Sequence, residues 1–147
     1  MKKRQVSYII FYEGDKVLLL HRPKGYGNTF GYIGGGIEEG ETPEEAVVRE
    51  VREELTYELN QGEYDFVGHK NFVFEHKGDI WEIDAYMYVA ELGNKLNQFV
   101  LTEKEYETGD ESKLELINVN NAKMLDIHCT GLELLKMIEN YLIASKQ

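Results

Sequence analysis

The stretch that decides the fold is residues 35–57, which read GGIEEGETPEEAVVREVREELTY. Its second half predicts a helix over residues 43–55 with a well-defined start. Thr42 is a good N-cap, and Pro43 suits the first helical position, where a missing N–H costs nothing. Glu45 completes a Thr-x-x-Glu capping box.

The predicted helix has an apolar face and an acidic face. At about 100° per residue, the apolar face contains Val47, Val48, Val51 and Leu55. Glu50, Glu53 and Glu54 lie at i, i+3 and i+4 and form a separate acidic stripe. Like charges at this spacing destabilise an isolated helix by about 0.2–0.5 kcal/mol per pair, and a divalent cation removes that repulsion. The acidic stripe therefore indicates a Mg²⁺ or Mn²⁺ site. The alternative is a solvated face in which Arg49 and Arg52 supply ion pairs.

Three consecutive glycines, residues 34–36, precede this helix. They predict a tight glycine-rich loop over residues 34–41, because glycine accepts positive φ and leaves the backbone accessible. Such a loop brings a carbonyl to a metal or N–H groups to a phosphate. Because it leads directly into the helix, we expect the loop and the acidic stripe to line one site.

Taken together, these positions resemble the Nudix box, Gly-x5-Glu-x7-Arg-Glu-U-x-Glu-Glu-x-Gly-U, in which U is a bulky apolar residue. The matching glycine and charged positions are Gly35, Glu41, Arg49, Glu50, Glu53 and Glu54. Thr56 stands where the family has glycine, and residues 30–35 (FGYIGG) replace the frequent Trp-x-x-Pro-Gly-Gly. At Thr56 we predict a differently shaped helix end that extends toward residues 60–62, with little effect on chemistry.

The resemblance implies a role for each matching residue. Glu50, Glu53 and Glu54 would bind Mg²⁺ or Mn²⁺ and act in catalysis, with the Gly34 carbonyl as a further ligand. Glu41 and Arg49 would pair and orient those carboxylates. Water would then attack one phosphorus of a diphosphate.

The residue that activates this water stays open. Glu53 or Glu54 would orient or deprotonate it. In some family members the base comes from a later loop, where Glu107 and Glu111 are the candidates in this chain. The alternative for those two residues is a solvated acidic loop.

Substrate contacts are predicted before the motif. Arg22, at the end of a strand, and Lys24 are candidates for binding phosphate oxygens, the alternative being an ordinary surface pair. Phe30 and Tyr32 are candidates for stacking on a base, with core packing as the alternative. Tyr26, Trp81 and Tyr86 are further candidates for stacking on a base, with core packing as the alternative.

The substrate class is inferred by elimination. Some ADP-ribose enzymes of the family have a proline a short way past the box, and some dinucleoside polyphosphate enzymes have a tyrosine there. Residues 72–75 (FVFE) contain neither. We therefore favour a nucleoside triphosphate, including an oxidised one such as 8-oxo-dGTP, over ADP-ribose or a dinucleoside polyphosphate.

Outside the motif, the pattern predicts an α/β sandwich with helices on both sides of a mixed sheet, as the Nudix resemblance implies. Strands are expected over residues 6–12, 16–22, 66–76, 80–90 and 114–119. A second helix is expected over residues 132–143, with Leu132, Leu135, Ile138 and Leu142 on its apolar stripe.

Length, cysteine content and apolar pattern indicate the number of domains and the cellular location. The 147 residues suit a single domain, 1–147, and the lone Cys129 excludes an intrachain disulfide. The apolar stretch after the basic residues 2–4 is too short for a signal peptide, and no run is long enough to span a membrane. We expect a cytoplasmic protein. A homodimer, common in the family, stays open.

The net charge of −11 repels nucleic acid polymers, which argues against a duplex-binding module. It also repels a polyphosphate, so a bound cation or local Lys and Arg side chains must reverse the sign at the site. We therefore expect a small nucleotide-like diphosphate as the partner. A non-catalytic Nudix-fold nucleotide-binding or sensor domain is the second hypothesis, although it would be expected to lack box carboxylates. A calcium module is the third, and the loop near residues 109–110 lacks its ladder of aspartates.

Overall fold

The structure is a computed structural model, and it describes residues 1–22, 29–102, 112–125, 127 and 131–146. Its strands, in chain order, are β1 (Lys2–Glu13), β2 (Lys16–Arg22), β3 (Thr29–Gly31), β4 (Ile33–Gly36), β5 (Tyr64–His76), β6 (Asp79–Glu91) and β7 (Lys113–Asn118). Its helices are α1 (Pro43–Leu55), a 3₁₀ helix (Lys95–Gln98), α2 (Val119–Ala122) and α3 (Gly131–Ser145).

The strands form one mixed sheet, as predicted. Its main path runs β3-β2-β1-β6-β5, while β4 pairs with β1 and β7 pairs with β2. The β1–β6 pair is parallel and runs in register from Lys2↔Trp81 to Tyr12↔Glu91, and every other pair is antiparallel. The long strand β1 therefore carries β6 on one edge and both β4 and β2 on the other.

Helices cover both faces of the sheet, which confirms the predicted sandwich. Successive residues of β1 point to opposite faces, so Ile9 and Phe11 join the core under α1, whereas Val6 and Ile10 join the core under α3. All four of these side chains are at most 1% exposed. The sheet thus holds α1 rigidly through Val47, Val51 and Leu55, which are fully buried.

Two element predictions were wrong in detail. Strand β1 begins at Lys2 rather than Val6, because its charged first residues pair with β6 although they bury no side chain. In α3, Leu132 is 45% exposed and Leu134 takes its predicted place in the core. Residue 132 lies in the first turn of a helix that begins at Gly131, on the side facing away from the sheet.

The helices found in the described ranges include none that is long and apolar enough to cross a membrane.

Candidate active site

Helix α1 begins where the sequence predicts and is fixed by its capping box. The Thr42 Oγ1 accepts a hydrogen bond from the Glu45 N–H at 3.1 Å, and the Glu45 carboxylate accepts one from the Thr42 N–H at 3.0 Å. Two of the orphan donors at the helix start are thereby satisfied. This start sets the rotation of α1 and hence the direction in which its acidic stripe projects.

The glycines before the helix lie in strand β4, not in the tight loop that was predicted. They pair with β1 through Tyr8↔Gly34, Ser7↔Gly35 and Val6↔Gly36. A Cβ at Gly34, where φ is 137°, would lie 2.1 Å from the Ser7 carbonyl oxygen, and one at Gly35 would lie 2.7 Å from Glu50 Oε1. Because these glycines have no side chain, strand β4 can lie close to β1 at Gly34 and close to the acidic stripe at Gly35.

The three carboxylates of the acidic stripe differ in exposure and contacts. Glu50 is 9% exposed, whereas the Glu53 side chain is 57% exposed. Glu54 Oε1 accepts a hydrogen bond from the Gly34 N–H at 3.3 Å, so Gly34 meets the stripe through its amide in this structure. The stripe therefore faces β4, with Glu50 and Glu54 against it and Glu53 at its open edge.

Arg49 partly balances the charge of the stripe. Its Nη1 donates to Glu50 at 3.1 Å and to Glu53 at 3.2 Å, and its Nη2 donates to the Gly36 carbonyl at 2.9 Å. Its Nε and Nη2 also hold both oxygens of Glu41, at 2.8 and 2.9 Å. All five guanidinium N–H donors are thus engaged.

The predicted pairing of Glu41 with Arg49 is present. The hydrogen bonds from Arg49 lower the pKa of Glu41 to about 2, and the bonds to Glu41 raise the pKa of Arg49 in turn. Both groups therefore stay charged throughout the physiological range. Whether the pair orients the catalytic carboxylates stays a prediction.

The donor set suits a hard divalent cation by its chemistry. Three carboxylates within one helical turn, beside the backbone of Gly34, offer the oxygen ligands that Mg²⁺ and Mn²⁺ take. In the part of the chain that the structure describes, no three His, Cys, Asp or Glu side chains converge on one point. The geometric reason is that the Arg49 guanidinium lies between Glu50 and Glu53 and Glu54 turns to the Gly34 amide.

The end of α1 at Leu55 matches the predicted range, but the extension expected from Thr56 is wrong. The helix stops at Leu55, and Thr56 adopts the left-handed conformation, with φ 53° and ψ 39°, rather than continuing toward residues 60–62. The Thr56 N–H caps the Arg52 carbonyl at 3.1 Å, and its hydroxyl donates to the Val100 carbonyl at 3.1 Å. These bonds offset the cost of a β-branched residue at positive φ.

A distant segment satisfies the remaining carbonyls of the last turn. The Val100 N–H donates to the Leu55 carbonyl at 2.8 Å, and the Thr102 N–H donates to the Glu54 carbonyl at 2.9 Å. The Thr102 hydroxyl donates to the Glu53 carbonyl. Sequence reasoning missed Thr102, because the contact spans 49 residues and follows no local pattern.

Comparison with known proteins agrees with this geometry. The family model described as the NUDIX domain matches residues 1–129. The chain belongs to the Nudix family. The predicted membership of the Nudix family, which rests on the resemblance of residues 35–57 to the Nudix box, is thereby confirmed.

One curated Nudix relative is the NAD-capped RNA hydrolase NudC of Pseudomonas aeruginosa (strain LESB58). It is 38% identical over 68 residues, which are 46% of this chain and 24% of that protein. The chain thus spans about a quarter of the length of the curated relatives it matches.

Solved structures share the fold at low identity. The MutT protein from Methanosarcina mazei Go1 superposes with a TM-score of 0.68 at 17% identity, over 99% of this chain and 97% of that one. The Ap4A hydrolase of C. elegans gives a TM-score of 0.67 at 15% identity, over 98% and 99% of the two chains. These likenesses confirm the Nudix-type α/β/α sandwich.

Predicted substrate contacts are less well supported by this Nudix fold. Phe30 and Tyr32 are 9% and 8% exposed. The Phe30 ring stacks on His21 at 4.1 Å, and the Tyr32 hydroxyl donates to the Gly131 carbonyl. Burial raises the pKa of Tyr32. Both side chains pack in the core, which favours the alternative stated for them.

Other predicted residues lie outside the described residues. These are Lys24, Tyr26, Glu107 and Glu111, together with the side chain of Arg22, whose backbone ends β2 as predicted. Of the remaining aromatic candidates, Tyr86 stacks on His69 at 4.4 Å and Trp81 lies under the Lys2 ammonium at 5.4 Å.

Proposed function

We propose that this chain is a divalent-metal-dependent pyrophosphohydrolase that uses water to cleave the diphosphate bond of a nucleoside diphosphate-X substrate. The observation that carries the proposal is the position of the acidic stripe. Glu50 and Glu54 lie against the glycine strand β4, Glu53 lies at the open edge beside them, and one arginine, Arg49, partly balances their charge. A helix designed for stability alone would not concentrate carboxylates in this way.

The residues that would hold the cation are Glu50, Glu53, Glu54 and the Gly34 carbonyl, with Mg²⁺ favoured and Mn²⁺ as the second choice. A bound divalent cation would neutralise the diphosphate oxygens and make the phosphorus a better electrophile. Because Arg49 contacts both Glu50 and Glu53, it reduces the repulsion between these two carboxylates.

The reaction forms a bond between the water oxygen and one phosphorus while the bridging P–O bond breaks. The leaving phosphate takes the electron pair of that bond, and the proton of the water passes to a carboxylate. Glu53 suits this base role, because it is the most exposed member of the stripe and can reach solvent. Glu54, Glu107 and Glu111 are the alternatives that sequence reasoning provides.

The substrate class we favour is a nucleoside triphosphate, oxidised forms included, with ADP-ribose and dinucleoside polyphosphates as alternatives. All of these share the phosphoanhydride that the proposed chemistry requires. The NudC relative is named for NAD-capped RNA, which adds a capped RNA end to the substrates to be tested. The net charge of −11 opposes binding of a long polymer. The cytoplasmic location and the homodimer stay predictions.

A substrate screen tests the proposal. Nucleoside triphosphates, 8-oxo-dGTP, ADP-ribose, a dinucleoside polyphosphate and NAD-capped RNA are incubated with Mg²⁺, and the cleavage products are separated by chromatography and identified by mass spectrometry. A nucleoside triphosphate should release phosphate or pyrophosphate, whereas each of the other diphosphates should give two phosphorylated organic products. We expect Glu53→Gln and Glu54→Gln each to lose about a hundredfold or more in rate. Glu75→Gln, which removes the same charge from the distant end of β5, is the control. Hydrolysis of none of these compounds, or wild-type rates in both variants, would refute the proposal.

A further inference from the structure

Arg4 lies directly beside the glycine strand. It lies two residues before Val6, and Val6 pairs with Gly36. Its Nη2 and Nε atoms lie 3.2 and 3.3 Å from the point that a Cβ at Gly36 would occupy. The absence of a side chain at Gly36 therefore lets the Arg4 guanidinium rest against the strand that leads to the Nudix helix.

Two arginines thus meet at Gly36, and they differ in what they can still bind. Arg49 donates to the Gly36 carbonyl, but all of its five N–H donors are engaged by Glu41, Glu50, Glu53 and that carbonyl. Arg4 is exposed and, among the residues described, has neither an ion-pair partner nor a hydrogen-bond partner for its guanidinium. Its donors are available to a ligand.

An unpaired guanidinium such as that of Arg4 is unusual on the surface of such an acidic protein. The chain has 27 acidic and 16 basic residues, so a carboxylate is usually near. Arg4 even borders a surface pocket with Glu82 and Asp84, yet neither pairs with it. By contrast, the neighbouring Lys2 is bound to Asp79 at 3.0 Å.

The chemistry of a guanidinium indicates the ligand. Its planar fork of donors matches two oxygens of one phosphate group, and it stays charged at all relevant pH values. A polyanion that approaches the acidic stripe is repelled by the stripe and by the net charge of −11. A free guanidinium at the edge of the glycine strand would offset that repulsion.

We propose that Arg4 is a substrate-binding residue that holds a phosphate group of the substrate at the open face of Gly36. This inference rests on the proposed function, because it assigns the anionic part of the same substrate to a residue that the Nudix box does not include. Sequence reasoning missed Arg4, because it ends a basic run (residues 2–4) that looks like an ordinary charged chain start. The substrate-binding cations predicted from sequence were Arg22 and Lys24 instead.

The test compares Arg4→Ala with Lys3→Ala. Both variants remove one positive charge from adjacent exposed positions of β1, but the two side chains point to opposite faces of the strand. Binding of inorganic pyrophosphate in the presence of Mg²⁺ is measured by titration calorimetry, and KM and kcat are measured on the best nucleotide from the screen. Circular dichroism checks that each variant folds.

We expect Arg4→Ala to weaken pyrophosphate binding and raise KM about tenfold, which is the loss of one charge-assisted contact, with little change in kcat. Lys3→Ala should change either quantity by less than about twofold. Arg4→Lys should fall between the two, since an ammonium keeps the charge but loses the fork.

Equal effects of Arg4→Ala and Lys3→Ala would overturn the assignment of Arg4, while nucleotide hydrolysis by the wild type would leave the proposed function standing. The reverse outcome is also distinguishable. If the wild type binds pyrophosphate through Arg4 but hydrolyses no nucleotide, the proposed function fails and the binding role of Arg4 holds. Absence of pyrophosphate binding by the wild type, together with an unchanged KM in Arg4→Ala, would also overturn the assignment.

Discussion

The Thr102 hydroxyl donates a hydrogen bond to the Glu53 carbonyl, so a segment far along the chain closes the last turn of the Nudix helix. The Thr102 N–H does the same for Glu54. The backbone of Glu53 and Glu54, the last two members of the acidic stripe, is therefore held by one residue. The positions of the Glu53 and Glu54 carboxylates therefore depend on this contact with Thr102.

Loss of the Thr102 hydroxyl should loosen the acidic stripe. We expect Thr102→Val, which is close in shape, to weaken Mn²⁺ binding and kcat about tenfold, a typical effect of removing a group that orients a metal ligand. Thr102→Ser keeps the hydroxyl and should stay near wild type. Mn²⁺ affinity is measured by electron paramagnetic resonance without substrate.

Ser145→Ala is the matched control for Thr102→Val, because the Ser145 hydroxyl also donates to a carbonyl in the last turn of a helix, that of Leu142 in α3. It should leave Mn²⁺ affinity unchanged. If Thr102→Val and Ser145→Ala behave alike, Thr102 has no positioning role.

The Glu41–Arg49 pair predicts how stability depends on pH. Hydrogen bonds from Arg49 lower the pKa of Glu41 from 4.5 to about 2. A carboxyl with a depressed pKa in the folded state contributes stability that is fully present above its unfolded pKa and is lost as pH falls through the folded value. Between about pH 4.5 and pH 2, the free energy of unfolding should therefore fall more steeply in the wild type than in Glu41→Gln.

Urea unfolding at a series of pH values, without divalent cations, measures this difference. Glu39→Gln is the control, because Glu39 is exposed and lies two residues away in the same segment. Its profile should follow that of the wild type. Parallel profiles for Glu41→Gln and the wild type would contradict the coupling.

The glycines of β4 should tolerate substitution differently. A Cβ at Gly35 would lie 2.7 Å from Glu50 Oε1, the end of a side chain, whereas one at Gly34 would lie 2.1 Å from the Ser7 carbonyl oxygen, which is backbone. We expect Gly35→Ala to fold, because Glu50 can turn aside, and to lose about tenfold or more in kcat as a displaced ligand does.

Gly34→Ala should fail to fold or lose several kcal/mol, because strand β4 cannot keep its register on β1. Gly14→Ala is the control for backbone strain alone, since φ there is 61° and a Cβ would meet nothing within 4 Å. Thermal unfolding and kcat are measured for all three. Wild-type kcat in Gly35→Ala would show that the contact with Glu50 is irrelevant to activity.

Local signals explain why the helix and the mixed sheet could be predicted. The start of α1 could be predicted because it is determined within one turn, by Thr42, Pro43 and Glu45. The alternation of Ala85, Met87 and Val89 likewise marks one buried face of β6. The family resemblance then supplied the α/β/α sandwich around a mixed sheet.

The features that were missed depend on contacts between distant residues. The pairing of Gly34–Gly36 with β1 and the capping of Glu53 by Thr102 join segments 28 and 49 residues apart, as in Ser7↔Gly35. Thr56 illustrates the same limit. Its local preference argues against positive φ, yet the bond to Val100 holds it there.

Metal binding should stabilise the fold. The size of this effect in variants should distinguish the carboxylates of the acidic stripe from other carboxylates of the same helix region. A ligand that binds only the folded state adds about 2.7 kcal/mol of stability at a hundred times its dissociation constant. The melting temperature of the wild type should therefore rise with added Mg²⁺ and fall back with a chelator, which should also abolish activity. In Glu50→Gln and Glu54→Gln the rise should largely disappear, because a neutral amide is a weaker ligand than a carboxylate. Glu58→Gln, which removes an exposed carboxylate bound to Arg52 beyond the helix end, should keep the rise. An equal Mg²⁺ response in all of these variants would mean that the cation binds elsewhere on this acidic surface.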